Sequence, residues 1–338
     1  MPKKPKVYIY GLSNVFYDSY YIKGLKEYFG VNTLHFNVTK FPNFGYYYAM
    51  SIIVVYEDHE IKICIDSSDD DDIKQSQLDW CDYYGKANYN SSKIPAENGV
   101  KVIPIGPSFG IKIWSFPQTI FIAVRNYIRF KKVIRVQERK LFLMNYLSQY
   151  KRLPLKKYLT STTKKDNHYI FFISSIWKNE SATNNFRANF IKACRGISSL
   201  NFEGGFAPRK DKVHFEFDKI VVEKRYAFKE YIKKTKESVL VFNTPAVVNC
   251  HGWKLAEFLA LGKAILSTSF HNEMPVALIE GEHIVFLKDG TVDEMKNKIN
   301  FLLDNPDLRA QLETNAKNYF LENLMPKRVF EKLFENSK

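Results

Sequence analysis

The sequence predicts a mixed α/β protein of two domains. Its 338 residues are too many for a single hydrophobic core and suit two. Segments with the period of a strand alternate with segments with the period of a helix, first between residues 7 and 105 and again between residues 168 and 334. A stretch rich in Lys, Ser and Thr at residues 153–166 separates the two series and predicts a linker.

The composition excludes several classes of protein. Hydrophobic residues make up 45% of the chain and aromatic residues 15%, which is typical of a packed globular protein. No window approaches the roughly 18 uninterrupted apolar residues of a membrane-spanning helix, and the chain does not begin like a signal peptide. The four cysteines are scattered, which favours reduced thiols over a disulfide framework or a zinc site. We therefore expect a cytoplasmic protein.

The first half has the pattern of an open sheet with helices. The predicted strands are residues 7–10, 33–36, 51–56, 61–65 and 100–105. A turn at residues 11–14 leads into a helix at 17–29, and an aromatic stretch occupies 41–48. One long basic helix near residues 118–150 closes a first domain that we place at 1–152.

The second half repeats this rhythm in a domain that we place at 167–320. The predicted strands are residues 168–174, 200–202, 238–242, 264–267 and 283–287. The predicted helices are residues 185–195, 252–261, 292–303, 306–320 and 327–334. Gly204 and Gly205 predict a turn after the second of these strands.

The most informative stretch runs from Asn249 to Ser267. A short polar loop ends at Gly252, a helix carries Glu257 one to two turns in, and Gly262 ends that helix. The first N–H groups of a helix can bind a diphosphate, and a nearby carboxylate can accept hydrogen bonds from both hydroxyls of a ribose. Glu257 is therefore a candidate ribose ligand. The alternative is an ordinary β-loop-α-β unit with Glu257 on a solvated helix face.

The residues N-C-H-G-W-K-L-A-E-F-L-A-L-G-K-A-I-L-S resemble the C-terminal half of GT-B glycosyltransferases, and look similar to those of bacterial capsule and exopolysaccharide clusters. Retaining members of that superfamily carry two glutamates that flank seven residues. Here the second glutamate matches Glu257, but the first is replaced by Asn249, so the stereochemistry of transfer stays open. The resemblance implies two Rossmann-type α/β domains facing a central cleft, with a C-terminal helix at 321–338 that returns to the first domain.

The resemblance also implies residues for the donor. His251, Gly252 and Lys254 lie at the start of the nucleotide-binding helix, where they would contact phosphate or sugar. Lys178 and Arg187 follow the first strand of the second domain, in the region where related enzymes place cations on the leaving diphosphate. The alternative for both is surface charge. Arg209 and Lys210 are substitutes for these two cations.

Two further sets follow from the resemblance. Asn272 and Glu273 lie in a turn similar to the family's loop that approaches the sugar, so they are candidate sugar contacts. Gly11, Ser13 and Asn14 follow the first strand, where an acceptor site often begins in this family. A plain turn explains these three residues equally well.

Asp66 is a candidate base in the first domain. It follows the strand at residues 61–65 and would lie at the carboxyl end of that strand, where open α/β sheets bind ligands. A carboxylate there could accept the proton of an attacking hydroxyl. The alternative is a solvated acidic turn. The neighbouring acidic run at residues 69–72 resembles a D-x-D metal site only superficially, and we expect no metal and no cofactor.

Most of the net charge of +14 lies in one segment. Between Ile111 and Lys165, fourteen basic residues stand against one acidic residue, Glu138, an excess of +13. In this segment the apolar positions expected on one helix face are Ile120, Ala123, Tyr127, Phe130, Ile134 and Leu141. The basic positions expected on the opposite face are Arg125, Arg129, Lys132, Arg135 and Arg139.

This pattern predicts a helix that packs its apolar face on the core and turns its basic face outward. Anionic lipid headgroups attract such residues, so we expect an anionic inner-membrane surface as a partner through residues 118–157. An ordinary solvated helix face is the alternative. No nucleic-acid-binding motif accompanies the charge, so nucleic acid is not an expected partner.

Together these features predict a metal-independent glycosyltransferase, of the hexosyltransferase type. It would move a sugar from a nucleoside diphosphate donor to a saccharide or lipid-linked acceptor, in bacterial surface polysaccharide or glycoconjugate synthesis. It would be cytoplasmic and peripheral at the inner face of the plasma membrane. The alternatives are a nucleotide-sugar epimerase of the same architecture and a non-enzymatic protein that binds anionic surfaces.

Overall fold

A computed structural model describes residues 4–45, 49–95, 99–160 and 166–335. Residues 46–48 of the aromatic stretch, residues 161–165 of the linker, including Lys164 and Lys165, and residues 336–338 of the last predicted segment lie outside the described residues. The chain divides into two compact units. The first comprises the described residues of Met1–Lys157, Asn272–Val276 and Glu322–Lys338, and the second comprises those of Tyr158–His271 and Ala277–Leu321.

The first unit is built on a six-stranded sheet. Its strands are β1 (Lys6–Tyr10), β2 (His35–Asn37), β3 (Met50–Val55), β4 (Glu60–Asp66), β5 (Tyr83–Lys86) and β6 (Val102–Pro104). Their order in the sheet is β2-β1-β3-β4-β5-β6. β3 runs antiparallel to both of its neighbours, and the other pairs are parallel. One antiparallel strand therefore stands in the middle of an otherwise parallel sheet.

Helices from both ends of the chain complete the first unit. They are α1 (Val15–Tyr28), α2 (Gln75–Trp80), α3 (Phe116–Phe130), α4 (Arg139–Tyr150) and α11 (Pro326–Glu335), while a short α5 (Lys156–Leu159) spans the division between the units. α11 packs along α1, where the rings of Tyr28 and Phe334 stack with centroids 5.2 Å apart. A side chain at Gly24 would collide with the backbone of Pro326, so glycine allows the two helices to approach. The predicted return of the C-terminal helix is confirmed.

The prediction of one long basic helix is wrong. α3 ends before Lys131, and α4 begins only at Arg139 after a 3₁₀ turn at Val136–Glu138. The break contains the β-branched residues Val133, Ile134 and Val136, whose stiff side chains are poor helix formers. Ile134 is 3% exposed, so the break also gives the core a residue that a continuous helix would place differently.

The strands of the second unit form two parallel groups, one of three strands and one of two. Its strands are β7 (Tyr169–Ser174), β8 (Asn201–Phe206), β9 (Val241–Asn243), β10 (Ile265–Ser267) and β11 (Val285–Phe286). β11, β10 and β9 pair in that order, and β7 pairs with β8. The two groups adjoin, because the amide of Val239, two residues before β9, donates to the carbonyl of Tyr169 in β7 at 2.9 Å. The order is thus β11-β10-β9-β7-β8, and the winding reverses between β7 and β9.

Helices follow these strands. They are α6 (Ser181–Arg195), α7 (Phe228–Glu237), α8 (Gly252–Leu261), α9 (Val292–Asp304) and α10 (Pro306–Tyr319), and a π-helical segment at Phe320–Leu324 leads to α11. The buried core joins the helices to the strands, and the ring of Phe190 in α6 stacks on the ring of Phe242 in β9 with centroids 4.6 Å apart. The predicted class of two Rossmann-type α/β units is confirmed. Among the described residues, no helix combines the length and the apolar character that crossing a membrane requires.

The predicted turn at Gly204 and Gly205 is wrong, because both residues lie inside β8. Their φ angles are 133° and 154°, a region that favours glycine. A Cβ on Gly204 would collide with the carbonyl oxygen of Phe172 in β7. Glycine is needed there for the close approach of two strands rather than for a change of direction.

We expect Gly204→Ala to destabilise the second unit by about 3 kcal/mol or more, because the added methyl group meets a backbone carbonyl that cannot move without disturbing the pairing of β7 with β8. Denaturant unfolding measures the loss. The matched control is Gly281→Ala, where φ is 74° but no atom of the described residues lies within 4 Å of the new methyl group. Backbone strain alone should then cost about 1 kcal/mol, and equal losses at the two sites would contradict the close-approach explanation.

Candidate functional site

The loop between β9 and α8 has a strained backbone. Val248, Asn249 and Gly252 have φ angles of 47°, 60° and 64°. Positive φ is a genuine outlier for a β-branched residue such as Val248. The loop is held by a hydrogen bond from the Ala246 amide to the Cys250 carbonyl at 2.9 Å, and the Val248 amide donates to Glu180 at 2.9 Å. Backbone strain that the surroundings maintain in this way is typical of binding sites.

Two cations lie where the winding of the sheet reverses. The guanidinium of Arg187, which is 6% exposed, donates to the carbonyl of Ser175 at 3.0 Å. The ammonium of Lys254 donates to the carbonyl of Ile173, near the end of β7. In open α/β sheets, ligands bind outside the carboxyl ends of the strands at this reversal point. α6 and α8 thus bring Arg187 and Lys254 to the place where a ligand is expected.

Burial changes the proton affinity of both cations. It lowers the pKa of Arg187 to about 10, although the nearby Cys250 and Glu180 oppose the change. It lowers the pKa of Lys254 to about 7, with the charge of Arg187 acting in the same direction and that of Glu257 opposing it. Both shifts have the same meaning: positive charge is poorly solvated here. An anion placed beside these groups would relieve that cost.

Glu257 lies beside this pair of cations. It is 3% exposed, and the hydroxyl of Tyr231 donates to its Oε2 atom at 3.3 Å. Burial raises the pKa of Tyr231 well above its usual value, and the charge of Glu257 adds to the effect, so the hydroxyl stays a donor. Glu257 therefore does not occupy a solvated helix face, and Tyr231 helps to orient it.

A cavity of about 290 Å³ opens at the carboxyl ends of the parallel strands β9, β10 and β11. Asn249 lines it together with Thr244, Thr268 and residues 287–290. His251 is 3% exposed, and its ring meets the ring of Phe270, another lining residue, edge to face at 5.3 Å. The volume is close to the lower limit of about 300 Å³ for ligand pockets.

Lys178 does not lie with Arg187 and Lys254 at the candidate site. Its ammonium lies 3.2 Å from Asp211, and the side chain is 61% exposed. Arg209 holds the same carboxylate through two hydrogen bonds of 2.9 and 2.7 Å, and these contacts keep the pKa of Asp211 well below its usual value. Lys210 lines a separate cavity of about 280 Å³ next to this cluster. The charge of Lys178 is thus already matched by an acid.

Asn272 and Glu273 belong to the first unit. The Glu273 carboxylate accepts from the Ser91 amide at 3.0 Å, and the Glu273 amide donates to the Tyr89 carbonyl at 2.8 Å. Asn272 donates to the side-chain oxygen of Asn88 at 3.4 Å. These bonds attach the segment to the chain that follows β5. Contact with a donor sugar stays a prediction for both residues.

Local structure explains two of the three predicted acceptor residues. A side chain at Gly11 would meet Phe130 and Val38 at 2.7 Å, so glycine is required by packing. Asn14 caps α1, because its Oδ1 atom accepts from the amides of Phe16 and Tyr17 at 3.1 and 3.4 Å. Ser13 is 5% exposed, and its hydroxyl has no partner among the described residues. Of the three, Ser13 remains the candidate for binding a ligand.

Asp66 is 1% exposed and fully engaged within the first unit. Its Oδ2 atom accepts from the Tyr84 hydroxyl at 2.6 Å and from the buried ammonium of Lys86 at 2.9 Å. Its Oδ1 atom accepts from the Ser68 amide at 3.0 Å and hydroxyl at 2.6 Å. An anchor that neutralises Lys86 explains this geometry better than a base that must reach an acceptor.

Asp18 is a candidate that the sequence analysis does not include. It is 4% exposed in the first turn of α1, and its Oδ2 atom has no hydrogen-bond partner among the described residues. Burial raises its pKa well above the usual value. An acid in the first turn of a helix commonly stabilises the helix dipole, so the sequence gives no sign of a special role. A buried and unsatisfied acid beside the turn that carries Ser13 marks a functional candidate.

Comparison with known proteins gives one family match, which lies in the second half of the chain. Residues 187–335 match the family model described as glycosyl transferase-like. The resemblance predicted from Asn249–Ser267 is confirmed for this part of the chain. A search of curated proteins gave no match.

Three similar solved structures have low identity to this chain. TarM from S. aureus is 14% identical, with 53% of this chain and 37% of TarM covered and a TM-score of 0.39. The C-terminal domain of LpcC, a group 1 family glycosyl transferase from Francisella tularensis, is 11% identical over 49% of this chain and 95% of that one, with a TM-score of 0.35. HepE from Anabaena, in complex with UDP-glucose, is 12% identical over 78% and 68%, with a TM-score of 0.43. The chain thus spans little more than a third of TarM.

We expect Lys254→Met to remove a pH dependence of stability. The unfolded chain keeps the lysine proton up to about pH 10.5, whereas the folded protein releases it near pH 7, so this group makes folding more favourable as the pH rises across that window. Denaturant unfolding at both ends of this pH window should show that the free energy of unfolding increases less with pH in the variant than in the unaltered protein. Lys233→Met, at an exposed lysine of α7, is the control. If the free energy of unfolding increased equally with pH in Lys254→Met and in the unaltered protein, the burial of this ammonium would be contradicted.

We expect Asp18→Asn to raise the free energy of unfolding at neutral pH. The folded protein holds the proton of Asp18 to a higher pH than the unfolded chain does, so the contribution of this acid to stability falls as the pH rises above about 3.8. Asn has no proton to lose and keeps the shape. Thermal unfolding should show a gain that shrinks as the pH falls toward 4, and a loss of stability at neutral pH would refute the assignment.

Proposed function

We propose that the protein is a glycosyltransferase of the GT-B type, which moves a sugar from a nucleoside diphosphate donor to a hydroxyl acceptor. One observation carries the proposal: α8 begins at the reversal point of the parallel sheet with Arg187, Lys254 and Glu257 gathered around it. The glycosyl transferase-like match includes all three of these side chains.

The diphosphate would bind at the start of α8. Phosphate oxygens would lie at the amino end of this helix, because the helix dipole favours negative charge there. Arg187 and Lys254 supply the positive charge that stabilises the leaving diphosphate as the sugar departs. Lys254 would gain a proton as the anion arrives, because its pKa of about 7 reflects a lack of solvation that the diphosphate replaces. These fixed cations can act in place of a metal.

Glu257 would accept the ribose hydroxyls, with Tyr231 holding the carboxylate in place. Asn249 lines the cavity of about 290 Å³, where it would contact the sugar or the base. As a neutral amide, Asn249 can donate and accept hydrogen bonds but cannot stabilise a positive charge as a glutamate would. His251 contributes by packing on Phe270 and shaping that cavity.

The first unit would bind the acceptor. Ser13 and Asp18 offer buried polar atoms at the carboxyl end of β1, where an acceptor hydroxyl can be held. The similarity of the Asn249–Ser267 stretch to capsule and exopolysaccharide enzymes supports a hexose as the transferred sugar and a bacterial surface polysaccharide or glycoconjugate as the product. The acceptor would be a saccharide, either free or attached to a membrane lipid.

A thermal-shift screen with UDP, GDP, ADP and CMP donors tests the donor site. A donor present at about 100 times its Kd should add about 2.7 kcal/mol to the free energy of unfolding. Glu257→Gln keeps the size of the side chain and removes its charge, so we expect most of the shift to disappear. Glu230→Gln, on α7 beside Tyr231 in the sequence, is the control and should keep the shift. No shift with any donor, or an equal shift in Glu257→Gln, would contradict the proposal.

Product analysis separates transfer from epimerisation. A transferase consumes donor only when an acceptor is present, apart from slow hydrolysis, whereas an epimerase converts the donor sugar with no acceptor. The donor that gives a thermal shift is incubated with the protein but without an acceptor, and the sugar nucleotide is then analysed by chromatography. We expect the donor to be recovered unchanged. A new sugar nucleotide in that incubation would assign the site to epimerisation.

A further inference from the structure

α3 presents an apolar ridge to solvent. Phe121, Val124 and Ile128 are 64%, 47% and 59% exposed. Their spacing of three and four residues places them on one side of the helix. The buried residues of α3 are Thr119, Ala123, Asn126 and Phe130. A helical arrangement puts these four on the opposite side, so the ridge points directly away from the core of the first unit.

The ridge lies in a segment of the chain that is rich in exposed apolar side chains. Nine of the nineteen large apolar side chains that are exposed among the described residues lie between Phe116 and Met144. They are Phe116, Ile120, Phe121, Val124, Ile128, Val133, Val136, Leu141 and Met144. Single exposed apolar residues are common, but a contiguous apolar surface marks an interaction site.

Positive charge borders the ridge. Arg125 and Arg129 lie one residue beyond Val124 and Ile128, and the guanidinium of Arg125 lies 5.7 Å from the centre of the Phe121 ring. Lys131, Lys132 and Arg135 are exposed in the connection to α4. Glu138 is the only acidic residue from Ile111 to Lys165. The apolar ridge and this basic border form one surface, which we call the α3 surface.

We infer that the α3 surface docks on an anionic phospholipid bilayer, with α3 lying in the plane of the interface and its ridge inserted among the lipids. A helix with an exposed apolar face and Lys or Arg at its border has the character of an interfacial helix. Nucleic acid would satisfy the cations but leave the ridge in water. A second copy of the chain would cover the ridge but bring like charges together. A bilayer with anionic headgroups satisfies both parts of the surface.

Insertion of the ridge and attraction of the basic residues both contribute to binding, and added salt distinguishes the two contributions. Attraction between exposed cations and headgroups is screened over about 8 Å at physiological ionic strength. Burial of the ridge in lipid is not screened. Binding should therefore weaken with added salt without disappearing, whereas a purely electrostatic contact would be lost. This inference goes beyond sugar transfer and does not depend on the donor site.

Co-sedimentation of the full chain with lipid vesicles tests the inference. Vesicles of phosphatidylcholine with about 30% phosphatidylglycerol should bind the protein, and pure phosphatidylcholine should bind it at least about tenfold more weakly. The double variant Phe121→Ser with Ile128→Ser should lose affinity for the anionic vesicles about tenfold or more. Phe301→Ser, at an apolar residue of α9 that is 48% exposed, is the matched control and should bind normally.

Charge variants complete the test. Arg125→Gln with Arg129→Gln should weaken binding roughly tenfold, because each basic residue near the surface contributes separately. Lys219→Gln with Lys229→Gln removes the same charge from exposed positions of the second unit and should leave binding unchanged. All substituted positions except Arg125 are exposed, and an unaltered thermal midpoint shows that each variant is folded.

Several results would overturn the inference. One is absence of binding to anionic vesicles, and another is equal binding by the ridge variant and the unaltered protein. Binding to a DNA duplex without binding to vesicles would assign the surface to nucleic acid. A dimer in sedimentation velocity that the ridge variant abolishes would assign it to a second copy. The thermal-shift measurements with nucleotide donors are independent of vesicle binding. If no donor produced a thermal shift, the vesicle test would still be valid.

Discussion

The chain leaves β9 through a turn that it can form only with strained backbone angles, and the candidate site depends on that turn. Val248 and Asn249 have φ angles of 47° and 60°, each of which costs on the order of 1 to 3 kcal/mol. The bond from Val248 to Glu180 and the buried strands on either side maintain the conformation. Because the turn fixes where α8 begins, it also determines that Lys254 reaches the end of β7 and that Glu257 meets Tyr231.

The electrostatics of the site follow from that placement. Arg187 and Lys254 each donate to a main-chain carbonyl, at Ser175 and Ile173, rather than to a carboxylate of their own. A carbonyl offers a partial charge, so both cations keep most of their attraction for an incoming anion. Lys178 is the contrast, because Asp211 already matches its charge. Cations held by dipoles in this way are organised before the ligand arrives, which is the condition for electrostatic stabilisation of a leaving group.

The sequence was informative where the signal is local. The loop ending at Gly252, the helix after it and the stop at Gly262, where φ is 64°, are properties of neighbouring residues and could be predicted. The contact of Tyr231 with Glu257 joins positions 26 residues apart, and α7 was not predicted at all. The approach of Gly204 to Phe172 and the bonding of Glu273 to Ser91 likewise depend on which strands become neighbours. Such contacts leave no periodic pattern in a sequence, so the loop and helix at Gly252 could be predicted and their surroundings could not.

In α3 the helical spacing was predicted correctly, but the structure buries a different side of the helix from the predicted one. Ile120 and Tyr127 share a three-and-four spacing with Ala123 and Phe130, but so do Thr119 and Asn126. The structure nevertheless buries Thr119 and Asn126. Thr119 donates to the Ser115 carbonyl at 2.8 Å, and the amide nitrogen of Asn126 donates to the Tyr146 hydroxyl at 3.0 Å, while the Oδ1 atom of Asn126 has no partner among the described residues. These hydrogen bonds reduce the penalty for burying the two residues, and the helix turns its more apolar side outward. In water the opposite rotation would bury more apolar surface, so an apolar partner would remove a cost that the exposed ridge carries.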